Sequence, residues 1–305
     1  MTFDRRRVPA DAQFDRIRLR DGWTLRRYRQ PARGTRRGQL LWLGGRGDIV
    51  EKYLEPLDHW AGRGWAVTSV DWRGQGGSGR LAADPHVGHI EDFALWVDDL
   101  AELVDMWREG EGPHVVAAHS MGGHLVLRAL GEQRIDIDKA SLVAPMLGID
   151  TGGLPFPVVK HLTAAVARVA PQRRAWAGHE RPGVPSAARE RLLTHDAARY
   201  ADELWWKARE PALALGPPSL GWLAAAYRSI AVLRAPGSLE RIDTPVLLIG
   251  SDGDRLVRAD AIRVAASRLP RARLHVFDDS VAHEILRESD EPRRAALTLI
   301  DEFLA

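Results

Sequence analysis

Short apolar runs at residues 40–43, 65–70, 115–118, 141–144, 246–249 and 274–277 place the main constraint on this chain's fold. They lack the polar alternation of a strand with one wet face, so both of their faces are expected to be covered. Stretches with helical apolar spacing lie between them, near 52–62, 89–108, 121–131, 259–268 and 291–304. Covered strands interleaved with amphipathic helices give an α/β fold, a mostly parallel sheet with helices on both faces. Residues 13–19 and 23–29 alternate around Asp21-Gly22, a turn dipeptide, and read as an antiparallel hairpin. Eight strands are thus expected. The rhythm breaks between 148 and 240, where Pro/Gly breaks separate helix-like pieces rich in Ala, Leu and Trp. Residues 148–240 are therefore expected to be a helical cap inserted over the carboxyl edge of the sheet. Residues 1–147 and 241–305 should form the core.

Composition removes several classes. The chain of 305 residues has no cysteine, which excludes disulfides, thiol nucleophiles and thiolate metal sites. No apolar run approaches the ~18 residues of a spanning helix. The basic start, Met1 to Arg7, is followed by no apolar h-region, so the expectation is a cytoplasmic protein without a secretory leader. Charge is uneven: residues 1–37 carry 12 Arg and 4 Asp, while the whole chain is only +2. A basic amino-terminal segment is expected either as a solvated edge hairpin or as a peripheral contact with anionic membrane. No nucleic-acid partner is expected.

One segment carries chemistry. In Ala118-His119-Ser120-Met121-Gly122 a serine sits where a buried strand turns into a helix. So tight a turn needs small residues two before and two after the serine, and it exposes the hydroxyl. A serine is a poor nucleophile at its own pKa, so a base must take its proton and a carboxylate must orient that base. In a sheet of this type the order is serine, acid, histidine. Asp252 and Asp254 both follow the strand at 246–249. His283 follows the last strand and precedes the terminal helix. A developing oxyanion needs two backbone donors. Met121 N–H follows the serine directly, and Arg46 N–H lies in the loop Gly44-Gly45-Arg46-Gly47 after an early strand.

Two other patterns are set aside. Gly74-Gln75-Gly76-Gly77-Ser78-Gly79 satisfies G-x-G-x-x-G, but Pro85 blocks the long helix a dinucleotide fingerprint must open. His86 and His89 lack a suitably spaced acidic third ligand. No cofactor and no metal are expected.

Taken together, Gly45 to Asp48 with Glu51-Lys52-Tyr53, Asp71 to Arg80, Ala118 to Gly123, Gly250 to Val257 and His283 to Glu288 resemble the α/β-hydrolases. Within them the resemblance is to bacterial lysophospholipase-like and monoacylglycerol-lipase-like serine hydrolases. It implies an α/β-hydrolase fold with Ser120 as nucleophile, Asp254 as acid, His283 as base, and Arg46 and Met121 as oxyanion donors. It also implies that the segment at 71–80 is a structural loop. Ala118 stands where Gly is commoner, and the acid loop has one extra residue, which keeps Asp252 as an alternative. The expected activity is carboxylic ester hydrolysis through an acyl-enzyme, acting on small or single-chain lipid esters. The rivals are an acyltransferase, a hydrolase of amides or peptides, and a non-catalytic ligand-binding descendant. In the peptide case Glu203 or Glu210 would read a free amino terminus.

Overall fold

In the computed structural model, which describes residues 3–149, 151, 153–175 and 183–305, an eight-stranded sheet forms the centre. The strands are β1 Gln13–Arg18, β2 Thr24–Gln30, β3 Gly38–Leu43, β4 Trp65–Val70, β5 His114–His119, β6 Lys139–Val143, β7 Val246–Ser251 and β8 Ala272–Phe277. Their spatial order is β1-β2-β4-β3-β5-β6-β7-β8. Antiparallel pairing is confined to β1–β2 and β2–β4; every later pair is parallel. This is the mostly parallel α/β sheet expected from the apolar runs. Strands β3 and β7 are buried along their whole length, which explains the unbroken apolar runs at 40–43 and 246–249 within them.

The covering helices are α1 Leu54–Gly62, α2 Ala94–Trp107, α3 Met121–Gly131, α8 Ala259–Arg268 and α9 Asp290–Leu304. Helix α2 starts five residues later than its apolar spacing suggests. Asp92 Oδ1 accepts the Ala94 N–H at 2.9 Å, and that side-chain turn displaces the first helical turn. Ile90 and Phe93 are buried all the same, so apolar spacing reported burial there and not helix. Where a helix from 52 was expected, a 3₁₀ turn at Val50–Tyr53 leads into α1.

Residues between β6 and β7 supply α4 Phe156–Val169, α5 Ala187–Leu193, α6 Ala197–Arg209 and α7 Leu220–Arg234. Ser186, Asp196 and Ser219 cap α5, α6 and α7 by accepting a backbone N–H three residues on. Helix α7 packs on α3, where Ser229 Oγ lies 2.6 Å from His124 Nε2, and its Trp222 ring lies 5.6 Å from Phe93, just before α2. Among the described residues no helix is long and apolar enough to cross a membrane.

Many amino-terminal arginines are tied down within the molecule. Arg5 and Arg6 pair with Asp202, Arg27 and Arg29 with Asp15, and Arg26 with Glu51 and Asp71. The G-x-G-x-x-G segment is a turn that opens no helix. Asp71 Oδ2 accepts the Gly77 N–H at 2.8 Å, and Ser78 Oγ donates to the Asp71 carbonyl at 2.7 Å. His89 Nδ1 meets Ser219 Oγ at 2.7 Å.

Candidate active site

Strand β5 delivers Ser120 to the rim of the sheet, and α3 begins at the next residue. Ser120 has φ 50° and ψ −114°, a strained conformation for a residue with a side chain. The turn is held from both sides: Ser120 N–H donates to Val143 O at 3.0 Å, and its carbonyl accepts from His124 N–H at 3.1 Å and Met146 N–H at 3.0 Å. A Cβ at Gly122 would stand 2.5 Å from Leu43 O and 2.6 Å from Gly44 O, so the position two after the serine has room for hydrogen only. The Ser120 side chain makes no cap to its own helix. It points to an imidazole instead.

That imidazole is His283. Its Nε2 lies 3.0 Å from Ser120 Oγ, and its Nδ1 lies 2.6 Å from Asp254 Oδ2. The Asp254 carboxylate is fixed in turn: Oδ1 accepts the Leu256 N–H at 2.7 Å and the Val257 N–H at 3.0 Å. The His283 and Asp254 side chains are both buried. Burial works against charge on both, but each favours the other's ionised form. The Asp254 carboxylate lifts the His283 pKa above its ordinary 6.5, and His283 with the two amides holds Asp254 below the usual aspartate value. Asp252 goes elsewhere. It is half exposed and forms a two-bond pair with Arg263 at 2.8 and 2.7 Å.

The loop after β3 runs against the serine. A Cβ on Gly45 would stand 3.0 Å from Ser120 Cβ, so a side chain there would crowd the hydroxyl. Arg46 lines the space above Ser120, and its guanidinium donates to Gly216 O at 2.9 Å. Met121 is the first residue of α3, where an N–H has no intrahelical acceptor. The two amides named from sequence thus belong to segments flanking Ser120.

Sequence reasoning missed what holds this loop. Asp48 Oδ2 accepts the Gly45 N–H at 2.6 Å, lies 3.1 Å from His119 Nδ1 and accepts from Tyr53 OH at 3.1 Å. Asp48 Oδ1 meets Lys52 Nζ at 2.6 Å. Lys52 also pairs with Glu284 and, at 3.3 Å, with Glu203 of α6. Glu203 takes Lys207 at 2.5 Å and Arg287 at 3.1 Å, and Arg287 returns to Glu284. All these side chains are buried. Burial opposes ionisation of Asp48 and Glu203, yet the adjoining cations hold both well below the usual carboxylate range. His119 is part of this network and not a mere packing residue on the sheet: its Nε2 reaches the His283 carbonyl at 3.3 Å. The spacings Asp48/Lys52, Glu203/Lys207 and Glu284/Arg287 are local, but the contacts that join these pairs to one another link residues far apart in sequence.

A cavity of about 160 Å³ opens over Ser120 and His283. Its apolar wall comes from Met146, Ile149, Leu193, Trp222, Leu256 and Val257. Leu193 belongs to α5 and Trp222 to α7, so the segment between β6 and β7 contributes part of the wall. Among the described residues no group of three or more His, Asp or Glu is placed to hold a metal ion.

A family model described as serine aminopeptidase, S33 (Hydrolase_4) matches residues 34–290. Lysophospholipase L2 of Escherichia coli (strain K12) is 32% identical over 272 residues, covering 85% of this chain and 78% of that protein. The probable lysophospholipase L2 of Haemophilus influenzae is 26% identical over 281 residues, covering 90% of this chain and 86% of the relative. The crystal structure of a soluble variant of monoglyceride lipase from Saccharomyces cerevisiae superposes with a TM-score of 0.75 at 17% identity, covering 99% of this chain and 98% of that one. That likeness extends over the sheet, the covering helices and the helices between β6 and β7. From the matched length and the lysophospholipase relatives, the chain belongs to the serine aminopeptidase S33 family of α/β-hydrolases.

Proposed function

We propose that this protein hydrolyses carboxylic esters of single-chain lipids through an acyl-enzyme, with Ser120 as nucleophile. The observation that carries the reading is the continuous contact from Ser120 Oγ to His283 Nε2 and from His283 Nδ1 to Asp254, at the floor of an apolar cavity. Ser120 Oγ attacks the acyl carbonyl carbon while His283 Nε2 takes its proton. The tetrahedral oxyanion sits toward the N–H groups of Arg46 and Met121. Collapse breaks the C–O bond, and His283 returns the proton to the leaving alcohol. Water then attacks the acyl-serine with His283 again as base, which releases the acid and restores the hydroxyl. Asp254 keeps Nδ1 protonated, orients the ring and stabilises the imidazolium.

Lysophospholipase L2 relatives and the apolar wall favour a single acyl chain as the substrate's tail. Residues 148–240 serve as the cap in this reading, with Leu193 and Trp222 facing the acyl group. The rival reading, an aminopeptidase as the family's description suggests, needs an uncommitted carboxylate to bind a substrate ammonium. Glu203 is already surrounded by Lys52, Lys207 and Arg287. Glu210 is exposed on the far rim of a separate cleft with Arg80 and His86. These placements favour esters over peptides. Turnover of lysophosphatidylcholine, monoacylglycerol and an amino-acyl anilide by the purified protein and by Ser120→Ala tests the choice. Faster cleavage of the anilide than of either lipid ester would reverse it.

A further inference from the structure

We infer that Gln75, in the glycine-rich loop after β4, is a positioning residue for the oxyanion donors, a role that rests on the ester reading and deepens it. The G-x-G-x-x-G pattern of this loop opens no helix, and its glycines serve a turn instead. Gly74 and Gly76 stand at φ 79° and 49°, in the left-handed region that a side chain makes costly. At Gly76 a Cβ would also lie 2.4 Å from Asp71 Cγ. Between them, Gln75 N–H donates to Trp72 O at 2.9 Å and Gln75 O accepts the Ser78 N–H at 2.9 Å. The turn leaves Gln75 only 3% exposed.

The Gln75 amide meets both segments that border Ser120. Oε1 accepts the Gly47 N–H at 2.5 Å, and Nε2 faces Met121 Sδ at 4.0 Å. Only the amide oxygen can accept from a backbone N–H, which fixes the orientation of the side chain; the thioether is a weak acceptor, so the second contact is mainly packing. Two further side chains of the same loop reach the same target. Trp72 Nε1 donates to Gly44 O at 2.8 Å, and Asp71 Oδ1 accepts the Val50 N–H at 3.1 Å. Residues 44–50 are therefore moulded on residues 71–75.

The consequence falls on Arg46. Peptide groups are planar, so the chain turns only about the dihedrals between them. Gly45 N–H is held by Asp48 Oδ2 at 2.6 Å, and Gly47 N–H by Gln75. The peptide that carries Arg46 N–H lies between these two and is pinned from both sides. Oxyanion donors work by being aimed before charge develops, which is what such pinning supplies. Without Gln75 the buried Gly47 N–H loses its acceptor, and the loop gains by turning to find another. A role in stability alone would instead give a less stable protein whose folded fraction turns over normally.

Gln75→Met and Gln75→Leu keep an apolar chain of similar reach and remove the strong acceptor. Each is compared with the wild type in p-nitrophenyl butyrate kinetics and in inhibition by n-butylboronic acid, which forms a tetrahedral adduct on an activated serine. Circular dichroism and thermal unfolding give the folded fraction to which rates are normalised. Removing an oxyanion donor outright costs about 10²–10³ in rate, and displacing one costs less. kcat is expected to fall roughly 10- to 100-fold with KM within about threefold of the wild type. The boronate Ki should rise by about the factor by which kcat/KM falls, because both report the tetrahedral state. Trp72→Phe removes the tie to Gly44 O and should move both quantities the same way; it decides if the Gln75 variants do not fold. Folded variants with wild-type kcat and Ki overturn the inference and leave the ester reading standing, and a lower kcat with unchanged Ki overturns it too. A wild type that neither cleaves the ester nor binds the boronate removes the ester reading, and the role of Gln75 with it.

Discussion

The Lys52 ammonium lies 2.6 Å from Asp48 Oδ1, and both side chains are buried beneath the loop that borders Ser120. Three carboxylates share this one cation: Asp48 in the loop, Glu284 next to His283, and Glu203 on α6. A single group therefore ties the loop, the segment carrying the imidazole and helix α6. Removing it leaves buried carboxylates without their partner, a change that typically costs ~3–5 kcal/mol. Lys52→Met should lower the urea midpoint accordingly, and equilibrium unfolding followed by tryptophan fluorescence measures it. A midpoint within error of the wild type would show that the cluster is not coupled as its distances suggest.

The same cluster sets the acid limit of stability. Burial disfavours the charged forms of Asp48, Glu203 and Glu284, but Lys52 and the neighbouring cations outweigh it and depress all three. A carboxylate with a depressed folded-state pKa contributes stability that is fully present above its unfolded value, near 4. That contribution is lost as pH falls through the lower folded value. Urea midpoints should thus hold steady through pH 6 and 5 and decline steeply below about pH 4. Lys52→Met should flatten the decline, because Asp48 and Glu284 lose the largest cause of their depression, while Glu203 keeps Lys207.

Asp252 and Asp254 differ in what they touch, and that separates their predicted effects. Asp254 meets His283 Nδ1 at 2.6 Å, whereas Asp252 pairs with Arg263 at the surface. Asp254→Asn should lower ester kcat by roughly 10³–10⁴, the scale for losing a carboxylate that orients a catalytic imidazole. Asp252→Asn should leave kcat within about threefold, as expected of an exposed substitution. Steady-state kinetics on one soluble ester decides, and equal losses in both variants would count against Asp254 as the orienting acid.

The pH profile reports the same contact independently. Burial lowers the His283 pKa, but the Asp254 carboxylate raises it further, so the net shift is upward from 6.5. The base works only when neutral, so kcat/KM should rise with pH through a midpoint above 6.5. In Asp254→Asn the residual activity should rise at lower pH, because burial then acts with less opposition. An unchanged midpoint in that variant would mean that another group controls the limb.

Gly122 tests the turn itself. A methyl there meets two carbonyl oxygens of the Leu43–Gly44 segment at 2.5 and 2.6 Å, and backbone cannot move aside as a flexible side chain can. Gly122→Ala should destabilise the fold by about 1–3 kcal/mol and displace Ser120 from His283. Thermal unfolding with ester turnover on the surviving folded fraction measures both effects; a fully stable and active variant would contradict the packing described.

What the sequence made legible follows from how local each signal was. Strands β3 and β7 announce themselves because burial on both faces leaves no polar residue in the run at 40–43 or 246–249. The elbow at Ser120 is legible because strand, small residues and helix are contiguous. Choosing between Asp252 and Asp254 was beyond sequence spacing, since both stand in one turn and only the side-chain direction separates them. The early start expected for α2 failed because Ile90 and Phe93 are buried from a loop, where apolar spacing carries no helical meaning. Least visible was the Lys52 cluster. Glu203 and Glu284 are distant in sequence from Lys52, and no local spacing marks them as its partners.

Labelling with a fluorophosphonate, followed by peptide mapping, tests the activated serine most directly. The probe needs a hydroxyl whose proton has somewhere to go and a site that accepts a tetrahedral oxyanion. One adduct is expected, on the peptide containing Ser120, formed slowly or not at all in His283→Ala. A folded protein that takes no adduct, or takes it on another serine, would contradict the assignment of Ser120 and His283.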